Sequence, residues 1–326
     1  MEYKDYPYQS VLAPHIRNFL DEKRKLGFIY DVMAYQLFRL DQYWNSHGYQ
    51  EISMTPEKLD EWIKALPNES RSSQNQRIGA ARSLGYYLIA LGLNSYVPLI
   101  GVGKDHPVIH ILSKRECQQL FAEIDNYVPE TQNPADFRMA NEYPIIFRLY
   151  YCCGMRNNEV CSLRVSDLDF HSGIITIING KNQRDRLVYL PDDLLRLIQQ
   201  YHAWLVHSLG YEPEWLFPGR FPDRHITKGI VDKRFKNLWY RTEASRNCEK
   251  APTPHSLRHT FVVDRINSWI LAGVDLNNMA SYLSKYLGHQ DWDETFYYYH
   301  LVEDAFRIVQ SNDTVSEDVI PEVRRR

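Results

Sequence analysis

Gly154-Met155-Arg156-Asn157-Asn158-Glu159-Val160-Cys161-Ser162-Leu163 places an arginine at the entrance of a short helix and a carboxylate three residues further on. That spacing is close to one helical turn, so Arg156 and Glu159 share a face and can pair. Alone, it describes an ordinary structural ion pair. Its setting is more informative. Upstream, Met139 to Cys153 is predicted to be a helix that stops at Gly154, because glycine accepts the left-handed conformation in which helices commonly end. Downstream, a short helix from Asn157 to Arg164 leads to two segments, Ile174 to Ile178 and Arg186 to Leu190. Both are rich in β-branched and apolar residues, and they flank Asn179-Gly180, the signature of a β-hairpin. The turn carries Lys181, Arg184 and Arg186. From Asp192 onward the pattern is helical again, with a loop spanning Glu212 to Thr227. The expected fold is therefore mainly α with a small antiparallel β-sheet.

Towards the N-terminus, Ser113-Lys114-Arg115-Glu116 has the capping-box spacing that opens a helix. Before it, Tyr96 to Pro107 loses helical periodicity and contains Pro98, Gly101, Gly103 and Pro107, the composition of a linker. The first hundred residues are helical. Val11 to Lys25 carries Leu12, Ile16 and Leu20 at near-helical spacing, and Tyr30 to Trp44 follows. Thr55-Pro56 starts a third helix that passes Trp62 and Leu66 and stops at Pro67. After a polar stretch from Asn68 to Gln76, a fourth helix is expected from Arg77 to Leu93. The expected domains are a helical bundle over 1–100, a linker over 101–110, a second domain over 111–310 and a tail over 311–326. No internal repeat is visible.

A chain of 326 residues is long enough for two cores, and 44% hydrophobic with 24% charged residues is ordinary globular composition. The most apolar stretches, Val97 to Gly103 and Pro144 to Cys153, are short or interrupted by Arg148, so no membrane span is expected. The start, Met1-Glu2-Tyr3-Lys4-Asp5, lacks an apolar secretory core, which points to a cytoplasmic protein. Cys117, Cys152, Cys153, Cys161 and Cys248 contain no C-x-x-C pair and are expected to be free thiols without zinc. The net charge of −3 argues against a polyanionic partner only as an average. Arg220 to Arg258 holds ten basic and four acidic residues, whereas His259 to Glu322 holds three basic and eleven acidic. Such segregation can present one cationic surface on an acidic protein.

Two further motifs complete the set. In His255-Ser256-Leu257-Arg258-His259, His255 and Arg258 stand one helical turn apart and can converge on one small anion. A two-histidine metal site, His255 with His259, is the rival reading, but it lacks the glutamate of H-E-x-x-H. Leu287-Gly288-His289 is followed, nine residues after the histidine, by Tyr298 within Tyr297-Tyr298-Tyr299. In this order the motifs resemble the tyrosine recombinases, or phage integrases. That family has an arginine in G-x-R-x-x-E-x-x-x-L, a lysine on a β-hairpin, H-x-x-R, L-G-H and a nucleophilic tyrosine nine residues on. The matching residues are Arg156, Lys181, His255, Arg258, His289 and Tyr298, with Glu159 as structural support. The resemblance covers roughly Ser113 to Ala305. The hairpin departs from the usual pattern at Asn182 and Arg184, where family members often carry a second glycine and a lysine.

The resemblance implies a two-domain architecture, a helical SAM-like core-binding bundle plus an α+β catalytic domain, closing around duplex DNA as a C-shaped clamp. It implies cutting and rejoining of DNA strands through a 3′-phosphotyrosine, with no metal and no cofactor. Arg156 and Arg258 would neutralise the non-bridging phosphate oxygens, since their planar forks suit phosphate, and His289 would add a hydrogen bond. Tyr298 would attack, His255 would serve as its base, and Lys181 would protonate the departing 5′ oxygen. Arg184, Arg220, Arg224, Lys228, Lys233, Arg234, Lys236 and Arg241 are the candidate DNA contacts outside that pocket. Implied partners are double-stranded DNA, further copies of the chain in a tetrameric synaptic complex, and accessory DNA-bending proteins, without a membrane. The tail from Val302 carries Ala305, Phe306, Ile308 and Val309, which could dock on a neighbouring copy. With no arm-binding domain before Val11, a simple two-domain recombinase is expected: an integrase, resolvase or transposase of a mobile element. The competing readings are a type IB topoisomerase-like nicking and closing enzyme and a catalytically silent DNA-binding homologue.

Overall fold

The computed structural model describes residues 3–98, 101–103, 109–178, 185–274, 276–288 and 298, with the backbone alone for 276–278. The chain divides into two compact units, residues 1–108 and 109–326. Among the described residues, no helix is long and apolar enough to cross a membrane.

Among the described residues, the first unit contains four helices: α1 (Ala13–Lys25), α2 (Asp31–Ser46), α3 (Pro56–Ile63) and α4 (Arg71–Ala90). Their apolar faces meet in a core that includes Leu12, Ile16 and Leu20, then Leu37, Leu40 and Trp44, then Leu59 and Trp62, then Ala81, Leu84 and Leu88. The fourth helix starts six residues before the sequence expectation. Ser70 accepts a hydrogen bond from the Ser73 amide and caps it. The polar stretch is helical because its side chains have partners. Gln74 donates to the Ile63 carbonyl at 2.8 Å, and the buried Arg77 pairs with Glu69 at 2.6 Å while lying over the Trp62 ring. Periodicity of apolar residues could not reveal a face built from Gln and Arg.

The second unit is organised on α6 (Pro134–Cys153), whose Tyr143, Ile146, Phe147 and Tyr150 are buried. Asn133 caps it and Pro134 opens it, so it begins five residues before Met139. It packs against α5 (Lys114–Asp125), α8 (Asp192–Leu209) and α10 (Pro254–Leu271). The Ser113–Glu116 capping box is formed at the start of α5. After α6 come α7 (Asn157–Cys161) and a three-stranded antiparallel sheet in the order β1-β2-β3, with β1 at Leu168–Asp169, β2 at Ile174–Ile177 and β3 at Arg186–Tyr189. Ile174 stands opposite Tyr189 and Ile177 opposite Arg186. Ile175, Ile177 and Val188 turn inward. β1 was not anticipated, because two residues carry no periodicity. α9 (Lys228–Trp239) follows the expected loop, and α11 (Leu276–Leu287) completes the described helices.

At the end of α6, Gly154 adopts φ +60, and a Cβ there would stand 2.5 Å from the Phe261 ring on α10. Gly154→Ala is therefore expected to cost about 2–4 kcal/mol, from about 1–2 for the left-handed backbone and the remainder for overpacking. The urea midpoint of this unit should fall with its slope unchanged. A loss below about 0.5 kcal/mol, the range of neutral surface changes, would contradict this packing.

Candidate active site

The C-terminal end of α11 gathers the site. A helix leaves its last carbonyls without intrahelical partners, and they form the negative end of its dipole. Here three consecutive carbonyls each receive a different arginine. Arg186 Nε donates to Tyr286 O at 2.8 Å, Arg258 Nη2 to Leu287 O at 3.0 Å, and Arg156 Nη2 to Gly288 O at 2.5 Å. Gly288 turns the chain at φ +65, and a Cβ on it would lie 3.0 Å from Arg156 Nη1 and 3.3 Å from Arg186 Cδ. A side chain there would be strained by the left-handed backbone and would crowd both arginines. Arg258 also donates to the Gly154 carbonyl, so one side chain ties the end of α6 to the end of α11.

Glu159 supplies the negative charge at the centre. Its two carboxylate oxygens accept from Arg186 Nη1 and Nη2 at 2.5 and 2.8 Å. The Arg156 amide donates to it at 2.7 Å, and Arg156 Nη1 at 3.2 Å. Burial works to raise the Glu159 pKa, but hydrogen bonds and charge from Arg186, with further contributions from the Arg156 amide and guanidinium, hold it below the usual carboxylate range. It stays ionised. The side chains of Glu159 and Arg186 are 8% and 7% exposed, against 19% for Arg156, so Arg156 is the more open of the two guanidinia on this carboxylate. Arg258 is buried, and burial with the nearby Arg156 charge pushes its pKa down to about 10, opposed by Tyr298 and Glu159.

α10 brings His255, Arg258 and His259 to the same place. Crowding by protein, with Arg258 and Arg156 adding positive charge, pushes the His255 imidazole down to about 4, although part of the residue is open to solvent. Its ring lies 4.4 Å from that of His259, centroid to centroid. His259 Nδ1 is 2.7 Å from the Tyr298 hydroxyl, a hydrogen bond in which the phenol donates when Nδ1 is unprotonated. Tyr298 is 4% exposed and packs with Phe261, Val262 and Leu287. Among the described residues, no group of three or more His, Cys, Asp and Glu side chains stands ready for a metal.

The structure thus brings together Arg156, Glu159, His255, Arg258 and Tyr298. Lys181, Arg184 and His289 lie outside the described residues. Of the candidate DNA contacts, Arg220, Arg224, Lys228, Lys233, Lys236 and Arg241 are exposed. Arg234 is half-buried and stacks on Tyr127 at 4.1 Å and near Tyr143 at 5.4 Å. Two residues of the site were not singled out from sequence. Arg186 was noted only as a turn cation, and His259 only as half of a metal pair. A signal existed for each: Arg186 opens a strand directly after the hairpin loop, and His259 sits four residues after His255 on one helical face.

The phage integrase family model matches residues 110–304. A tyrosine recombinase of Pseudothermotoga lettingae is 25% identical over 89% of this chain and 91% of its own. The tyrosine recombinase XerD of Rhizobium meliloti is 30% identical over 74% of each chain. Among solved structures, the XerH site-specific recombinase bound to palindromic difH substrate, a post-cleavage complex, aligns with a TM-score of 0.63. It is 18% identical, covering 86% of this chain and 78% of that one. The integrase of transposon Tn1549 bound to transposon right end DNA aligns with a TM-score of 0.59, at 17% identity over 91% and 98%.

Because crowding by surrounding protein and two cations disfavour the imidazolium of this partly exposed residue, His255 should stay neutral as pH falls past its ordinary value near 6.5 and become protonated only near 4. The ring-proton NMR titration of His255 in the DNA-free protein checks this. A midpoint at about 6.5 would show that the two guanidinia do not face this ring.

Proposed function

This chain belongs to the phage integrase family and is a tyrosine-type site-specific recombinase, and from that premise we propose that Arg156, Arg258, His255 and Tyr298 act on one phosphodiester of duplex DNA. The observation that carries this reading is that Arg156 and Arg258 meet at the end of α11 while Tyr298, in one apolar cluster with Leu287, offers its hydroxyl to His259 on the helix that carries Arg258. A phosphodiester under attack gathers charge on its two non-bridging oxygens, and fixed cations aimed there lower the barrier. Arg156 and Arg258 are preorganised by helix-end carbonyls and need not be drawn from solvent.

Tyr298 Oη attacks phosphorus, the P–O5′ bond breaks, and a 3′-phosphotyrosine forms. The phenolic proton passes to His259 Nδ1, which accepts the Tyr298 hydrogen bond, and His255, the base expected from the sequence, lies against the His259 ring and stays neutral above about pH 4. Lys181 on the hairpin gives its proton to the departing 5′ oxygen, and His289 adds a donor to the phosphate. The bond energy stays in the ester, so the 5′ hydroxyl of another strand can attack it and restore the backbone without ATP. The low exposure of Tyr298 keeps competing water away.

The helical unit is assigned as the core-binding domain, and the exposed cations Arg220, Arg224, Lys228, Lys233, Lys236 and Arg241 as phosphate contacts, with Arg184 beside the hairpin lysine. Strand exchange needs more than one copy, and a tetramer is the assembly this reading requires. A cavity of about 490 Å³ lined by Tyr189, Phe261, Trp269, Tyr282, Leu283 and Tyr286 is apolar and aromatic. It suits the 302–309 segment of a neighbouring copy. A mobile-element integrase is the favoured biological setting.

Two expected outcomes test the reaction. Incubation with two differently labelled copies of the target should yield joined hybrids; products in which each label rejoins only its own strand would point to a topoisomerase-like activity instead. Arg258→Lys keeps a charge but loses the fork, and should slow formation of the covalent adduct on a nicked target by about 10²-fold, the scale of one lost oxyanion donor. A change within about threefold, well under one tenfold step of 1.36 kcal/mol, would remove Arg258 from the phosphate.

A further inference from the structure

Three guanidinia reach one helix end and two of them hold Glu159, yet the proposed reaction uses only Arg156 and Arg258. Arg186 is left over. It is almost buried, it opens β3 directly after the hairpin loop, and it holds Glu159 by both oxygens while its Nε takes the Tyr286 carbonyl. We infer that Arg186 is a positioning residue that keeps Arg156 electrostatically available, by neutralising Glu159 so that the carboxylate does not cancel the charge meant for the phosphate.

Glu159 is ionised and close to Arg156, which it also needs, since its oxygen fixes the Arg156 amide at the start of α7. With no other cation, the Arg156 and Glu159 pair would carry no net charge, and a phosphate would meet a dipole. With Arg186 present, the triad carries one net positive charge. The distances divide the carboxylate accordingly: the Arg186 contacts are 2.5 and 2.8 Å, and the Arg156 side-chain contact is 3.2 Å. Arg186 takes the stronger share, and Arg156 stays on the more open side. In a partly buried site such pairwise terms are screened less than at a surface. Arg186 itself is nearly covered, and all three of its nitrogens donate to Glu159 or Tyr286, so it acts through Arg156 and not on the phosphate.

The inference rests on the proposed reaction, and its test separates the two. Arg186→Gln removes the charge but keeps amide donors for Glu159 and the Tyr286 carbonyl. Arg186→Lys keeps the charge. Glu159→Gln is added to the first. Two quantities are read: the rate of covalent adduct formation on a nicked target, and the affinity for inorganic phosphate of the DNA-free protein, followed by the ring-proton shift of His255. Thermal unfolding confirms that each variant is folded. Arg186→Gln should lower both quantities, the rate by about 10²-fold, and Arg186→Lys by less than about tenfold. The double variant Arg186→Gln with Glu159→Gln should regain at least about tenfold over Arg186→Gln alone, because the carboxylate that cancelled Arg156 is gone. A merely structural Arg186 would make the double variant no better than the single one in either measurement, and that result overturns the inference. Recovery of phosphate affinity with no adduct in any variant would uphold the electrostatic role and refute the reaction assigned to the site.

Discussion

The end of α11 is the constraint on which the site depends. The carbonyls of Tyr286, Leu287 and the following Gly288 point at one region, and orphaned acceptors there would cost free energy in a partly buried setting. Arginines from β3, α10 and the start of α7 satisfy them in order. Three mutually repelling guanidinia cannot be gathered this way without a counter-charge, and Glu159 supplies it. The same groups that terminate a helix therefore also concentrate positive charge at one point. Stability of the fold and electrostatic preorganisation of the site are here one set of contacts.

Other parts of the unit bring these three elements together. Gly154 stops α6 in contact with Phe261, which sets the spacing between α6 and α10. Arg258 then links the Gly154 carbonyl to Leu287. Tyr298 closes the cluster by packing beside Phe261 and Leu287 and offering its hydroxyl to His259. The phenol is thus held from the same helix that carries His255 and Arg258.

Much of this was legible in the sequence. The Gly154 stop, the capping box at Ser113, the hairpin and the loop over 212–227 follow from local chemistry, and all are present. The order of motifs identified the family, which no single motif could do. What stayed hidden was non-local. The early start of α4 depends on Gln74 and Arg77 finding partners on α3 and the segment after it. The role of Arg186 depends on Glu159, 27 residues away, and on Tyr286, 100 residues away. An arginine at a turn looks solvated until the fold shows which carboxylate it meets. His259 was likewise read against His255 alone, because its partner Tyr298 is 39 residues further along the chain.

Charge segregation along the chain follows the same logic. The net charge of −3 hides both a basic stretch from Arg220 to Arg258 and a cationic cluster in which Arg156 and Arg186 share the Glu159 carboxylate. The most direct measurement of the central claim is to trap the protein on a nicked target, digest the DNA and protein, and map the remaining nucleotide by mass spectrometry. The account requires a 3′-phosphoryl adduct on Tyr298. An adduct on Tyr297, Tyr299 or any other side chain would mean that the phenol held by His259 is not the group that attacks.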